Sequence, residues 1–125
     1  MEKKYLIQDI ENAPAQELLS LTQDAKSRGC RLGQICATAS NGFLEILYTF
    51  ERDNILKNYK IIIDADKPEL HSLTAIYPYA FIYENEIHDL FGVKFRNLSP
   101  DYEGTFFRIA EKTPWNPTAG KGGQD

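Results

Sequence analysis

Tyr77-Pro78-Tyr79-Ala80-Phe81-Ile82-Tyr83-Glu84-Asn85-Glu86-Ile87-His88-Asp89-Leu90-Phe91-Gly92 is the stretch from which the rest of the chain can be read. Pro78 suits the first turn of a helix, where its missing N–H removes no hydrogen bond, and Gly92 suits the position just past a helix end. Between them Tyr79, Ile82, Tyr83, Ile87, Leu90 and Phe91 recur at steps of three and four, which places them on one helical face and predicts that this face is buried. Glu86 falls inside that stripe, between Ile82 and Leu90. A carboxylate so placed must take up a proton or find a cation, so Glu86 is expected to be at least partly buried and paired with Arg52, Arg96 or Arg108. Glu84 and Asp89 fall at the edges of the stripe, while Asn85 and His88 point away from it.

Working outward toward the N-terminus, Asp66-Lys67-Pro68-Glu69 reads as the opening of a short helix through Ile76, broken by Tyr77-Pro78. Before it lie three strand-like segments, Leu32–Ala39, Phe43–Phe50 and Ile55–Asp64, joined by Ser40-Asn41-Gly42 and by the polar turn Glu51-Arg52-Asp53-Asn54. Asn-Gly tolerates the positive φ that a tight hairpin needs. In the second segment Leu44, Ile46, Tyr48 and Phe50 alternate with Phe43, Glu45, Leu47 and Thr49, so the first set is expected to face the core. Three strands with short turns predict an antiparallel meander. Further upstream, Asn12 as N-cap, Pro14 in a first turn and the face Ala15, Leu18, Leu19, Thr22, Ala25 predict an amphipathic helix ending at Gly29. Tyr5–Ile10 is an edge strand or a helix lead-in. Downstream, Val93-Lys94-Phe95 is expected to return to the sheet. The fold class is therefore α+β, an antiparallel sheet with helices packed on one face. Residues 1–111 are expected to form a single domain and 112–125 a flexible Pro/Gly-rich tail that contains the only tryptophan, Trp115. Trp115 either anchors the tail on another subunit or folds back onto its own domain.

Composition narrows the function. The chain has 125 residues, with 14 Lys and Arg against 18 Asp and Glu, for a formal net charge of −4. That balance, with no basic cluster, argues against nucleic acid as a partner. No run approaches the roughly 20 apolar residues of a membrane-crossing helix, so membrane contact is expected only through partners. Cys30 and Cys36, with no C-x-x-C, cannot supply the four thiolates of an iron–sulfur cluster, and they are expected to be two partly buried thiols. Glu84, Glu86, His88 and Asp89 could be weighed as a metal or acid–base site, but His71 is the only other histidine and no H-E-x-x-H occurs. There is no nucleophile motif, G-x-G-x-x-G or P-loop. No catalytic, cofactor-binding or metal-binding residue is assigned.

The run Glu84-Asn85-Glu86-Ile87-His88-Asp89-Leu90-Phe91-Gly92-Val93-Lys94-Phe95 resembles the E-R-E-x-x-D-x-x-G-[IV]-x-F signature of the small hydrophilic 30-kDa subunit of respiratory complex I. Related subunits occur in membrane-bound, energy-converting nickel–iron hydrogenases. Ser72-Leu73-Thr74, Tyr77-Pro78 and Tyr83 extend the resemblance, which covers about Ile55 to Pro100. It marks Glu84, Glu86, Asp89, Phe91, Gly92 and Phe95 as signature residues with a structural or interface role. Asn85 stands where the family usually has Arg, and Tyr102-Glu103-Gly104 and Thr113-Pro114-Trp115-Asn116-Pro117 replace the Leu-Arg-Arg and His-Pro-Leu-Arg-Lys-Asp segments of the quinone-reducing members. These departures favour the hydrogenase-like branch. The resemblance implies a scaffold subunit without cofactors, part of a membrane-attached, ion-translocating oxidoreductase, cytoplasmic and packed against a large catalytic and a small iron–sulfur subunit. The alternative is a stand-alone small enzyme or ligand-binding protein that uses the acidic Glu84–Asp89 helix.

Overall fold

A computed structural model describes residues 7–97. Strands β1 (Ile7–Asn12), β2 (Arg31–Ser40), β3 (Phe43–Arg52) and β4 (Ile55–Asp64) form a four-stranded sheet in the order β1-β4-β3-β2. The β2-β3-β4 meander has the expected segments and turns. Gly42 adopts φ +77° in the first turn, and Asp53 and Asn54 take φ 52° and 65° in the second, a conformation that Asx side chains tolerate better than most. Leu44, Ile46, Tyr48 and Phe50 are all buried, as the alternation requires.

The sheet differs from an all-antiparallel one at its edge. β1 pairs in parallel with β4, from Ile7 opposite Ile55 to Asn12 opposite Lys60. The Asn58 side chain holds it there, donating to Gln8 Oε1 and to the Asp9 carbonyl, each at 3.2 Å, while accepting from Thr49 Oγ1 at 2.6 Å. Asn12 therefore belongs to a strand and caps nothing; a 3-10 turn, Ala15–Glu17, leads instead into α1 (Leu18–Ser27) with Pro14 at its N-cap position. The buried face of α1 carries Leu18, Thr22 and Ala25, and Gly29 leaves the helix at φ +80°.

α2 (Ala80–Phe91) ends at Gly92, which takes the left-handed conformation (φ +79°) and donates its N–H to the His88 carbonyl at 2.9 Å. Pro78 stands in the turn before it rather than inside it. On either side lie β5 (Glu69–His71) and β6 (Lys94–Arg96), paired in parallel as a second, two-stranded sheet. This corrects two expectations. Asp66–Ile76 is not a helix, and Val93-Lys94-Phe95 does not rejoin the main sheet. The Lys94 N–H bonds the Pro68 carbonyl at 2.9 Å and the Ser72 N–H bonds the Arg96 carbonyl at 2.8 Å, so contacts remote in sequence override a local helical preference. Both helices contribute to one core with the inner face of the meander, joined by Leu70, Leu73, Tyr77, Val93 and Phe95.

Candidate functional site

The buried face of α2 is rotated from the one that counting apolar residues suggests. Ala80, Glu84, Ile87 and Phe91 lie inward, spaced by four, three and four, with Asn85 and Asp89 also buried. Tyr79 and Ile82 are 41% and 45% exposed, and Glu86 is exposed. Glu86 has no ion pair among the described residues: Arg96 reaches Glu69 at 3.2 Å, Arg52 reaches Asp53 at 3.5 Å, and Arg108 lies outside the described residues. The expectation of a buried, paired Glu86 is overturned: Ile87 and Phe91 of the predicted stripe do face the core, but Glu86 lies on its outer side with the exposed Tyr79 and Ile82.

The most deeply buried acid of α2 is Glu84, with no exposed surface. One oxygen accepts from the Ser72 hydroxyl at 2.6 Å and the other from the Leu73 N–H at 2.7 Å. Ser72 Oγ also shares a 2.7 Å hydrogen bond with Thr74 Oγ1 and accepts the Thr74 N–H at 3.0 Å, so a single carboxylate organises the loop between β5 and α2. Burial pushes the Glu84 carboxyl up to about 7, against the pull of the Ser72 hydroxyl and the Leu73 N–H, which favour the charged form. Tyr48 lies opposite on β3. Its hydroxyl is buried and has no hydrogen-bond partner among the described residues; burial first, and the Glu84 charge second, raise its pKa well above the ordinary phenol range.

The other signature residues are dispersed. Asp89 and Phe91 are buried on α2, Gly92 is its cap, and Phe95 is buried on β6. Asn85 is buried, donating from Nδ2 to the Phe81 carbonyl at 2.9 Å, with Oδ1 unpartnered among the described residues. His88 Nδ1 is 2.9 Å from the Val93 carbonyl, so the ring ties the last turn of α2 to the residue after its cap. Among the described residues no group of three His, Cys, Asp or Glu side chains converges as a metal site. Cys30 is half-buried, but Cys36 is exposed, contrary to the expectation for it. Trp115 lies outside the described residues.

Sequence reasoning missed Tyr77, Tyr79 and Tyr83 as hydrogen-bonding groups. Their hydroxyls reach β2: Tyr77 donates to the Cys30 carbonyl at 2.6 Å, Tyr79 accepts the Leu32 N–H at 2.9 Å and donates to the Leu32 carbonyl at 3.0 Å, and Tyr83 donates to the Gly33 carbonyl at 3.0 Å. Three tyrosines within seven residues were the available signal, since a buried phenol needs a partner for its hydroxyl. Elsewhere, an open cleft of about 590 Å³ near the start of β4 is floored by Phe50 and Tyr59. Among the described residues its cations form surface ion pairs, Arg28 with Asp24, Arg52 with Asp53, and Lys57 with Asp9 and Glu11.

Comparison with known proteins adds two kinds of finding. The sequence profile of the family described as "Respiratory-chain NADH dehydrogenase, 30 Kd subunit" matches residues 9–113. No curated protein sequence matches the chain. Among solved structures, a chain of the membrane-bound sulfane sulfur reductase, an archaeal respiratory membrane complex, superposes with TM-score 0.76 and 23% identity, over 93% of this chain and 72% of that one. The trypsin-resistant fragment (1-134) of Nqo5 superposes with TM-score 0.65 and 18% identity, over 78% of this chain and 85% of that one. At these identities the likeness is one of fold.

Proposed function

The chain belongs to the family of the 30-kDa subunit of the respiratory-chain NADH dehydrogenase, and from that premise we propose that it is a hydrophilic scaffold subunit without a cofactor of its own. It serves a membrane-attached, ion-translocating oxidoreductase of the energy-converting hydrogenase or NADH:quinone type. Its partners are a large catalytic subunit and a small iron–sulfur subunit, and it reaches the cytoplasmic face of the membrane only through them. No helix among the described residues is long and apolar enough to cross a membrane, which fits that placement.

The observation that carries this reading is how α2 uses its acids. Glu84 is consumed in holding the loop that precedes the helix, Asp89 is buried, and Glu86 is exposed with no ion pair among the described residues. Such a helix packs and docks; it does not gather acids around a ligand. The alternative, a stand-alone enzyme or ligand-binding protein built on Glu84–Asp89, is less well supported, since Glu84 and Asp89 are buried and Glu86 is exposed. Two cysteines cannot ligate an iron–sulfur cluster unaided, so metal analysis and a visible spectrum of the purified chain should show no stoichiometric metal, flavin or cluster. Affinity purification of the tagged, full-length chain from its own cells should bring down a large and a small redox subunit. A chain that purifies alone and turns over a substrate would end the scaffold reading.

A further inference from the structure

Along the outer edge of β2 two kinds of backbone stand side by side. Ser40 pairs with Phe43 across a two-residue turn, so Ser40 exchanges its hydrogen bonds with β3, and by alternation so do Thr38, Cys36 and Gln34. Ile35, Ala37 and Ala39 therefore aim their N–H and C=O groups away from the sheet. The register shifts between Leu32 and Gln34, and beyond that irregularity the outward groups of Leu32 and Gly33 are capped by the Tyr79 and Tyr83 hydroxyls. One part of the edge is sealed by α2. The other part, Ile35–Ala39, carries no such cap among the described residues.

Unpaired edges are ordinarily defended by charge, proline or a bulge. From Gly33 to Ser40 there is no charged residue and no proline, whereas β1 at the opposite edge carries Asp9 and Glu11. Beside this edge runs the outer part of the stripe that the sequence alone would bury, tied to β2 at Leu32 and Gly33 by the Tyr79 and Tyr83 hydroxyls. Tyr79, Ile82, Tyr83, Glu86 and Leu90 share one side of α2. Tyr79 and Ile82 are nearly half exposed, an apolar strip with a lone carboxylate, Glu86, in it.

We propose that an extended segment of a partner subunit adds to the main sheet along Ile35–Ala39, beside the Tyr79, Ile82 and Glu86 stripe. Its backbone bonds Ile35, Ala37 and Ala39. Its inward side chains are apolar where they meet Ile82 and Tyr83, and it places a Lys or Arg against Glu86. A second copy of this chain fits less well, because its own β2 edge brings no free cation; Arg31, at the start of that strand, is engaged with Glu51. The proposal rests on the chain's being a subunit of a larger complex. Strand addition of this kind takes affinity from main-chain hydrogen bonds and specificity from alternate side chains.

Amide hydrogen exchange on the tagged full-length chain, alone and in the complex it brings down, tests it. In the isolated chain the Ile35, Ala37 and Ala39 amides should exchange fast while those of Cys36 and Thr38, bonded to β3, are protected. In the complex the alternate set should slow by at least about tenfold. Ala37→Pro removes one outward donor and spares the β3 ladder, and Glu86→Lys reverses the charge; each should weaken partner retention at least about tenfold with the melting temperature of the isolated chain held. An intact complex in which those three amides still exchange fast would refute strand addition and leave the scaffold reading standing. A chain that brings down no partner would refute both. A homodimer of the isolated chain that Ala37→Pro dissolves would overturn the proposal in favour of self-pairing.

Discussion

At Glu84 a full negative charge and a buried position are in conflict, and the sign of the outcome can be worked out. The carboxyl has no exposed surface, accepts two hydrogen bonds, and has its pKa raised from 4.5 to about 7. Between those values the folded chain holds a proton that the unfolded chain has released, so stability contributed by this group is full below about pH 4.5 and is lost as pH rises through about 7. The loss is on the order of 3 kcal/mol. Glu84→Gln keeps the shape and an acceptor for the Leu73 N–H, with the amide NH2 turned to Ser72 Oγ, and it cannot ionise. Melting temperature followed from pH 4.5 to 8 should fall in the wild type and stay flatter in this variant. Parallel curves would show that Glu84 does not titrate in this range. Glu84→Ala, by contrast, should cost about 1–3 kcal/mol at acid pH as well, since it leaves the Leu73 N–H buried and unpaired.

For the elements, the local signals were sufficient wherever contacts are local. The β2-β3-β4 meander was legible from Asn41-Gly42 and from the alternation through Phe50, and the ends of α2 from Pro78 and Gly92, because turn and cap chemistry is written in neighbouring residues. What was not legible depends on distant partners. β5 exists because β6 pairs with it across α2, and the parallel docking of β1 depends on Asn58, whose polarity mid-strand gives no hint of direction. The buried face of α2 was misjudged for a related reason: tyrosines counted as core residues because they are aromatic, yet Tyr79 and Tyr83 lie at the sheet edge and use their hydroxyls, while Glu84 takes the inward place that hydrophobicity would have denied it. The role of Asn58 can be tested alone. Asn58→Ala removes its bonds to Gln8 and Asp9 and strands the buried Thr49 hydroxyl, so a loss of about 1–3 kcal/mol is expected in urea unfolding. Exchange should accelerate at β1 amides before those of β3. If β1 stayed as protected as in the wild type, the ladder itself and not the Asn58 side chain would be what holds the parallel strand.

For the whole molecule the question is which parts serve the domain and which serve the assembly. The described residues contain both sheets, both helices and a continuous core, and the family profile matches through residue 113. Trp115 lies beyond both, in the sequence Thr113-Pro114-Trp115-Asn116-Pro117 followed by Thr118-Ala119-Gly120-Lys121-Gly122-Gly123. Ordering a segment costs on the order of 1–2 kcal/mol per residue, which one buried indole cannot offset without further contacts, so a segment of this composition gains most when a partner supplies a surface. On the proposed scaffold reading, Trp115 is expected to seat in a pocket of the large catalytic subunit. Ending the chain before Thr113 should then leave the melting temperature of the isolated domain within about 2 °C of the full chain, since less than about 0.5 kcal/mol is at stake. The same truncation should reduce the large subunit recovered with it, and Trp115→Ala in the full chain should reproduce most of that reduction. A truncated domain that melts well below the full chain would place Trp115 in the domain's own core, and the partner's pocket would have to be dropped.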